Sequence, residues 1–118
     1  MRRRSAVDSR YPSFYVSVKT RYPEYFAALE ALGEAARKAG PLDEKTVHLV
    51  QLAAAAATRS EGAVHSHVRR ALRSGAKPEE IRHALLCVTS TIGFPNVSAA
   101  LSWAEDVLEK RKGASEED

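Results

Sequence analysis

The apolar positions of this chain recur mainly at spacings of three and four, the signature of helices that each bury one face. Strand-like alternation is not sustained anywhere in the sequence. Phe14, Tyr15 and Val16 open an aromatic stretch at 13–22 that fits either a short helix or an extended segment. Pro23 then stands where a first-turn proline belongs, and Tyr25, Phe26, Leu29, Leu32 and Ala36 mark one face of a helix stopping near Gly40-Pro41. Asp43 is a good N-cap for a second helix over about 44–58. Val47, Val50, Leu52 and the run Ala53 to Ala57 make that helix apolar nearly all round, as expected of a central, closely packed element.

A third helix over about 61–74 ends at Ser74-Gly75. Lys77-Pro78-Glu79-Glu80 starts a fourth, with proline at its head and acids in its first turn. Its apolar stripe is Ile81, Ala84, Leu85 and Val88. Gly93-Phe94-Pro95-Asn96 interrupts the pattern, with Asn96 placed to cap a last helix that buries Val97, Ala100, Leu101, Ala104, Val107 and Leu108. The reading is an all-α domain of five main helices and a short extra one. It spans 13–112, between a basic arm at 1–12 and a mobile acidic tail at 113–118.

Length and composition narrow the picture without changing it. At 118 residues the chain suits one domain with one core, and 44% hydrophobic with 28% charged residues is a globular balance. The net charge of +3 is spread unevenly: the first ten residues carry +3 and the last three −3. No basic stripe is interleaved with aromatics, so nucleic acid is not an expected partner. The Arg2–Arg4 triplet reads as a solvated terminus; no apolar run follows it, and no segment approaches a membrane span. A soluble, cytoplasmic protein is expected. Cys87 is the single cysteine, which excludes an intrachain disulfide and any C-x-x-C site. On the fourth helix's apolar side it reads as a buried small hydrophobe.

The stretch from Leu52 to Pro95 is the most informative. An Ala-rich helix is followed by H-V-R-R-A-L-x-x-G-A-x-P-E-E-I, beginning at His67, then by A-L-L at 84–86 and G-F-P at 93–95. With the Pro-Leu-Asp-Glu-Lys lead at 41–45 and the final helix, this resembles the core of the carboxymuconolactone decarboxylase and alkylhydroperoxidase AhpD-like family over roughly 23–110. The resemblance implies the AhpD-like helical fold, assembly as a homotrimer or homohexamer, and no cofactor. AhpD-like members carry C-x-x-C-x-x-x-H at the head of the third helix and a glutamate one helix earlier. Here the histidine is His67, the two cysteine positions fall on Ser60 and Ala63, and the glutamate position falls on His48. Serine and alanine supply no thiolate, so a dithiol peroxidase or antioxidant cycle is not expected. The decarboxylase branch does without the cysteines and keeps a histidine like His67.

By that resemblance His67 is the first catalytic candidate, with His48 approaching it across two packed helices. Imidazole suits proton transfer alpha to a carbonyl, and Arg59, Arg69 or Arg70 would hold a substrate carboxylate. Arg70 stands one turn from His67 on a similar face. The His48–His67 pair reads as a proton relay, a half-built metal site or a tolerated pair. Zinc wants three or four ligands, and Glu61, the nearest third, lies toward another face, so no metal is expected. Ser60 completes the candidate set, but about 10 Å of helical rise separates it from His67, and it equally suits an N-cap. His83 reads as a surface residue, and His65 is open. The resulting function is cofactor-free, lyase-type acid–base chemistry on a small carboxylated substrate. Its rival is a non-catalytic oligomeric protein of the same fold.

Overall fold

The computed structural model describes residues 13–117 of the chain, with side chains over 14–110; the basic arm at 1–12 lies outside the described residues. Among the described residues seven helical segments follow one another: α1 (Ser13–Arg21), α2 (Pro23–Lys38), α3 (Glu44–Ala57), α4 (Glu61–Arg73), α5 (Pro78–Leu86), α6 (Thr89–Ile92) and α7 (Phe94–Glu117). The five main helices expected are α2, α3, α4, α5 and α7. The ambiguous 13–22 stretch is a helix, and α6 is a single turn. Among the described residues there is no strand, and no helix is long and apolar enough to cross a membrane.

The chain divides into two compact units between Pro41 and Leu42. In the first, α1 packs on α2. Tyr15 meets Phe26 edge to face with ring centroids 4.9 Å apart, and the Lys19 ammonium lies 5.9 Å from the centre of the Phe26 ring. Phe26 is buried, yet Tyr25, Leu29 and Leu32 of the predicted stripe are exposed. Of the apolar face that periodicity marks on α2, only Phe26 is covered.

In the second unit α3, α4, α5 and α7 pack around one another. Leu52, Val64, Val68, Ile81, Leu85, Ala100 and Ala104 are fully buried at its centre. So many alanines and valines at the seams let helix axes approach closely. Local signals place the ends as expected. Asp43 accepts a 2.8 Å hydrogen bond from the Thr46 amide, and Glu80 accepts one of 2.8 Å from the Lys77 amide. Lys45 ties α3 to α5 through Glu80 at 3.0 Å, and Arg82 ties α5 to α7 by two hydrogen bonds to Glu105.

Both ends of α4 meet left-handed residues. After α4, Gly75 has φ 99°, with Ala76 donating to the Ala71 carbonyl and Gly75 to that of Leu72. Before α4 the same chain reversal ends α3, with Ser60 donating to Ala55 and Arg59 to Ala56. There the left-handed residue is Arg59, at φ 58°. A non-glycine residue costs about 1 kcal/mol in that conformation. The Arg59 guanidinium donates to the Asn96 carboxamide oxygen, and Asn96 donates to the Ile92 carbonyl at 2.7 Å.

Four expectations need correcting. Asn96 does not cap α7, because Gly93 at φ 90° turns the chain early enough for the helix to start at Phe94. The last helix does not stop at Gly113 but runs to Glu117, since one glycine costs a helix only about 1 kcal/mol. Cys87 is exposed rather than buried. It follows the end of α5, two positions beyond buried Leu85 and so roughly 200° round the helix from the core. The all-round apolar α3 is covered on some sides only, with Val50 55% exposed.

Candidate functional site

His48 and His67 reach the same place from different helices. Helix α3 begins at its Asp43 cap, and His48 is one turn in, on the side that also buries Leu52 and Ala55. Helix α4 begins at its Ser60 cap, and His67 follows one residue before buried Val68. Because α3 and α4 pack along their lengths, the two rings approach with centroids 6.2 Å apart and planes inclined by 35°. His48 is 4% exposed, and its Nε2 lies 3.8 Å from the Glu44 carboxylate. His67 is half-buried.

The electrostatics of this pair are one-sided. Burial pushes the His67 pKa down to about 4, with the Arg70 guanidinium and then His48 adding to the effect. At neutral pH His67 is therefore an uncharged imidazole, and a weaker base than an imidazole of ordinary pKa. Its Nδ1 is buried without a hydrogen-bond partner among the described residues, as is the Gln51 carboxamide oxygen one turn beyond His48 on α3. A buried polar atom left so costs about 1–3 kcal/mol. What this corner lacks is a partner for His67 Nδ1 and for the Gln51 oxygen among the described residues; the Glu44 carboxylate stands beside His48 instead.

The other sequence candidates divide. Arg70 stands one turn beyond His67 and acts on it through its charge. Ser60 is the N-cap of α4, its Oγ accepting from the Ala63 amide at 3.3 Å. That employs the hydroxyl at the head of the helix, two turns before His67. Arg59 is engaged with Asn96. Glu61, weighed as a third ligand for the histidine pair, lies instead toward His65, 4.0 Å from its Nε2. Two contributors went unnoticed in the sequence. Gln51 interrupts an apolar run three residues after His48, and that was a readable signal. Asp106 hydrogen-bonds His65 Nε2 at 3.0 Å across 41 residues, and no local pattern announces it.

Comparisons with known proteins agree with this architecture. A crystal structure of the apo form of a carboxymuconolactone decarboxylase family protein from Legionella pneumophila superposes with a TM-score of 0.72 at 27% identity, over 82% of this chain and 87% of that one. An uncharacterized protein of Haemophilus influenzae is 41% identical over 51 residues, 43% of this chain. The match spans 45% of that relative's length, less than half of it. The carboxymuconolactone decarboxylase family matches residues 23–106, most of the chain including both histidines of the pair, and this protein belongs to that family.

Proposed function

We propose that this protein carries out cofactor-free acid–base chemistry of the lyase type on a small carboxylated substrate, with His67 as the proton-transfer group. The observation that carries the reading is a neutral, half-buried imidazole whose Nδ1 has no hydrogen-bond partner among the described residues, beside an arginine and a second imidazole. In this mechanism Arg70 holds the substrate carboxylate. Neutral His67 accepts the proton from the carbon alpha to a carbonyl, and the electron pair moves into the carbonyl as an enolate. The enolate collapses to a carbon–carbon double bond as the oxygen on the beta carbon leaves, and His67 gives its proton to that leaving oxygen. An anion beside His67 offsets the charge of Arg70 and lifts the depressed pKa back toward neutrality. Binding thus tunes the base for its task. His48 supports His67, and Gln51 offers its carboxamide oxygen to a substrate hydroxyl. Ser60 is left to its capping role.

The test is a proton NMR titration of the imidazoles with and without a panel of small keto and lactone acids. The reading predicts a His67 pKa far below the ordinary value that rises with at least one acid. A His67 that titrates normally and ignores every acid rejects it.

A second reading keeps the fold without the chemistry: a non-catalytic homo-oligomer, trimeric or hexameric, in the cytoplasm. It draws on the apolar side chains at Leu29, Leu32 and Val50 that one chain leaves exposed. It also draws on Ser60 and Ala63, which supply no thiol pair. Light scattering reports the assembly. An oligomer whose His67 is indifferent to ligands selects this reading, and oligomerisation alone is compatible with both.

A further inference from the structure

The second face of α4 carries a different constellation. Glu61 and His65 stand four residues apart on that helix, so their side chains share a face. Asp106 comes from α7, which packs against α4. His65 Nε2 is 3.0 Å from the Asp106 carboxylate and 4.0 Å from that of Glu61. All three ligand atoms lie within 4.8 Å of one another. We propose that Glu61, His65 and Asp106 form a binding site for a divalent first-row transition ion, with Zn2+ as its representative.

Three arguments support the assignment. The first is geometric. Bonds of 2.0–2.2 Å to a tetrahedral ion place ligand atoms about 3.4 Å apart. His65 and Asp106 already stand close enough, and the longest side needs a drawing-in of up to about 1.4 Å, which two exposed carboxylates can supply. The second is the donor set. One imidazole and two carboxylates suit borderline ions; without thiolate or thioether the set is too hard for Cu(I), and the imidazole makes it less apt for Mg2+ or Ca2+. Two carboxylates also balance the ion's charge. The third is the scaffold, since two ligands ride on one helix and the third on its packed neighbour, so the site is built on rigid elements. Three protein ligands leave coordination positions open to solvent. The ion would clamp α4 to α7, on a different face from His67. The proposal does not depend on the acid–base reading.

The rival is an ordinary ion pair in which protonated His65 bridges two carboxylates. Calorimetric titration of the untagged full chain with Zn2+ at neutral pH, repeated with Co2+ followed by its visible absorption, separates the two. The proposal predicts one ion per chain, and a loss of affinity of at least about tenfold in His65→Ala and Asp106→Asn. His83→Ala, at an exposed histidine on α5, should bind as the parent does. Should His65→Ala not fold, the double variant Glu61→Gln/Asp106→Asn at two exposed positions carries the same test. Zn2+ uptake unchanged by these substitutions places the ion elsewhere and overturns the proposal. No Zn2+ uptake at a hundredfold excess of ion leaves an ion pair only, and overturns it too.

Discussion

His65 and His67 stand two residues apart on one helix, yet they meet opposite surroundings. Two residues turn an α-helix by about 200°, so one imidazole looks toward α7 and the other toward α3. His65 finds two carboxylates and solvent. His67 finds burial, an arginine and another histidine. The same side chain meets two carboxylates in one place, and is pressed into its neutral form in the other. What decides the chemistry of each is the helix packed against it, more than the residue type.

The contrast can be broken from the buried side, where the largest effects are expected. Leu52 is fully buried on α3 one turn from His48. Leu52→Ala should cost about 2–5 kcal/mol in urea denaturation. It should also raise the His67 pKa by letting water nearer. An unchanged pKa would mean that burial is not its main cause.

Next comes pH. Because His67 titrates near 4 when folded and near 6.5 when unfolded, the unfolded chain binds the extra proton between those values. Its contribution to stability is thus complete above about 6.5 and is lost as pH falls toward 4. Between pH 7 and 5 the loss should be about 1 kcal/mol, allowing for partial solvent screening. His67→Asn should remove that part of the slope, as denaturation midpoints at the two pH values will report.

His48→Glu sharpens the comparison by giving His67 a carboxylate of its own. NMR titration should then find the His67 pKa higher by about one unit or more. No rise would mean that the two side chains are not electrically in contact. The smallest effect belongs to the exposed side. Without metal, Asp106→Asn should cost no more than about 0.5 kcal/mol, since half-solvated ion pairs contribute little. A larger loss in metal-free protein would make this cluster a structural pin in its own right.

Much of this was legible in the sequence, and the reason is physical. Helix caps are local, so Asp43 and Pro78 announced their helices. The buried stripe of α7 could be read because an amphipathic face repeats with the helix. The meeting of His48 with His67 was legible only because a family likeness aligned two helices that spacing alone cannot align. Periodicity failed where it had to name what covers a face. It marked Tyr25, Leu29 and Leu32 as one apolar side and counted Cys87 with the core, but exposure is settled by neighbours distant in the chain. The His65–Asp106 bond belongs to the same class. Gln51 differs, because a lone amide between Val50 and Leu52 in an apolar run was visible and went unused.

The Arg59–Asn96 hydrogen bond has a consequence for how the molecule breathes. It joins the turn between α3 and α4 to the first turn of α7, and Asn96 passes the connection on to the Ile92 carbonyl at the end of α6. Two turns far apart in sequence thereby become one latch. Backbone amides held at each, such as Ser60 on Ala55 and Val97 on Gly93, should exchange with deuterium on a shared timescale. Cutting the latch with Asn96→Ala would give each turn its own clock.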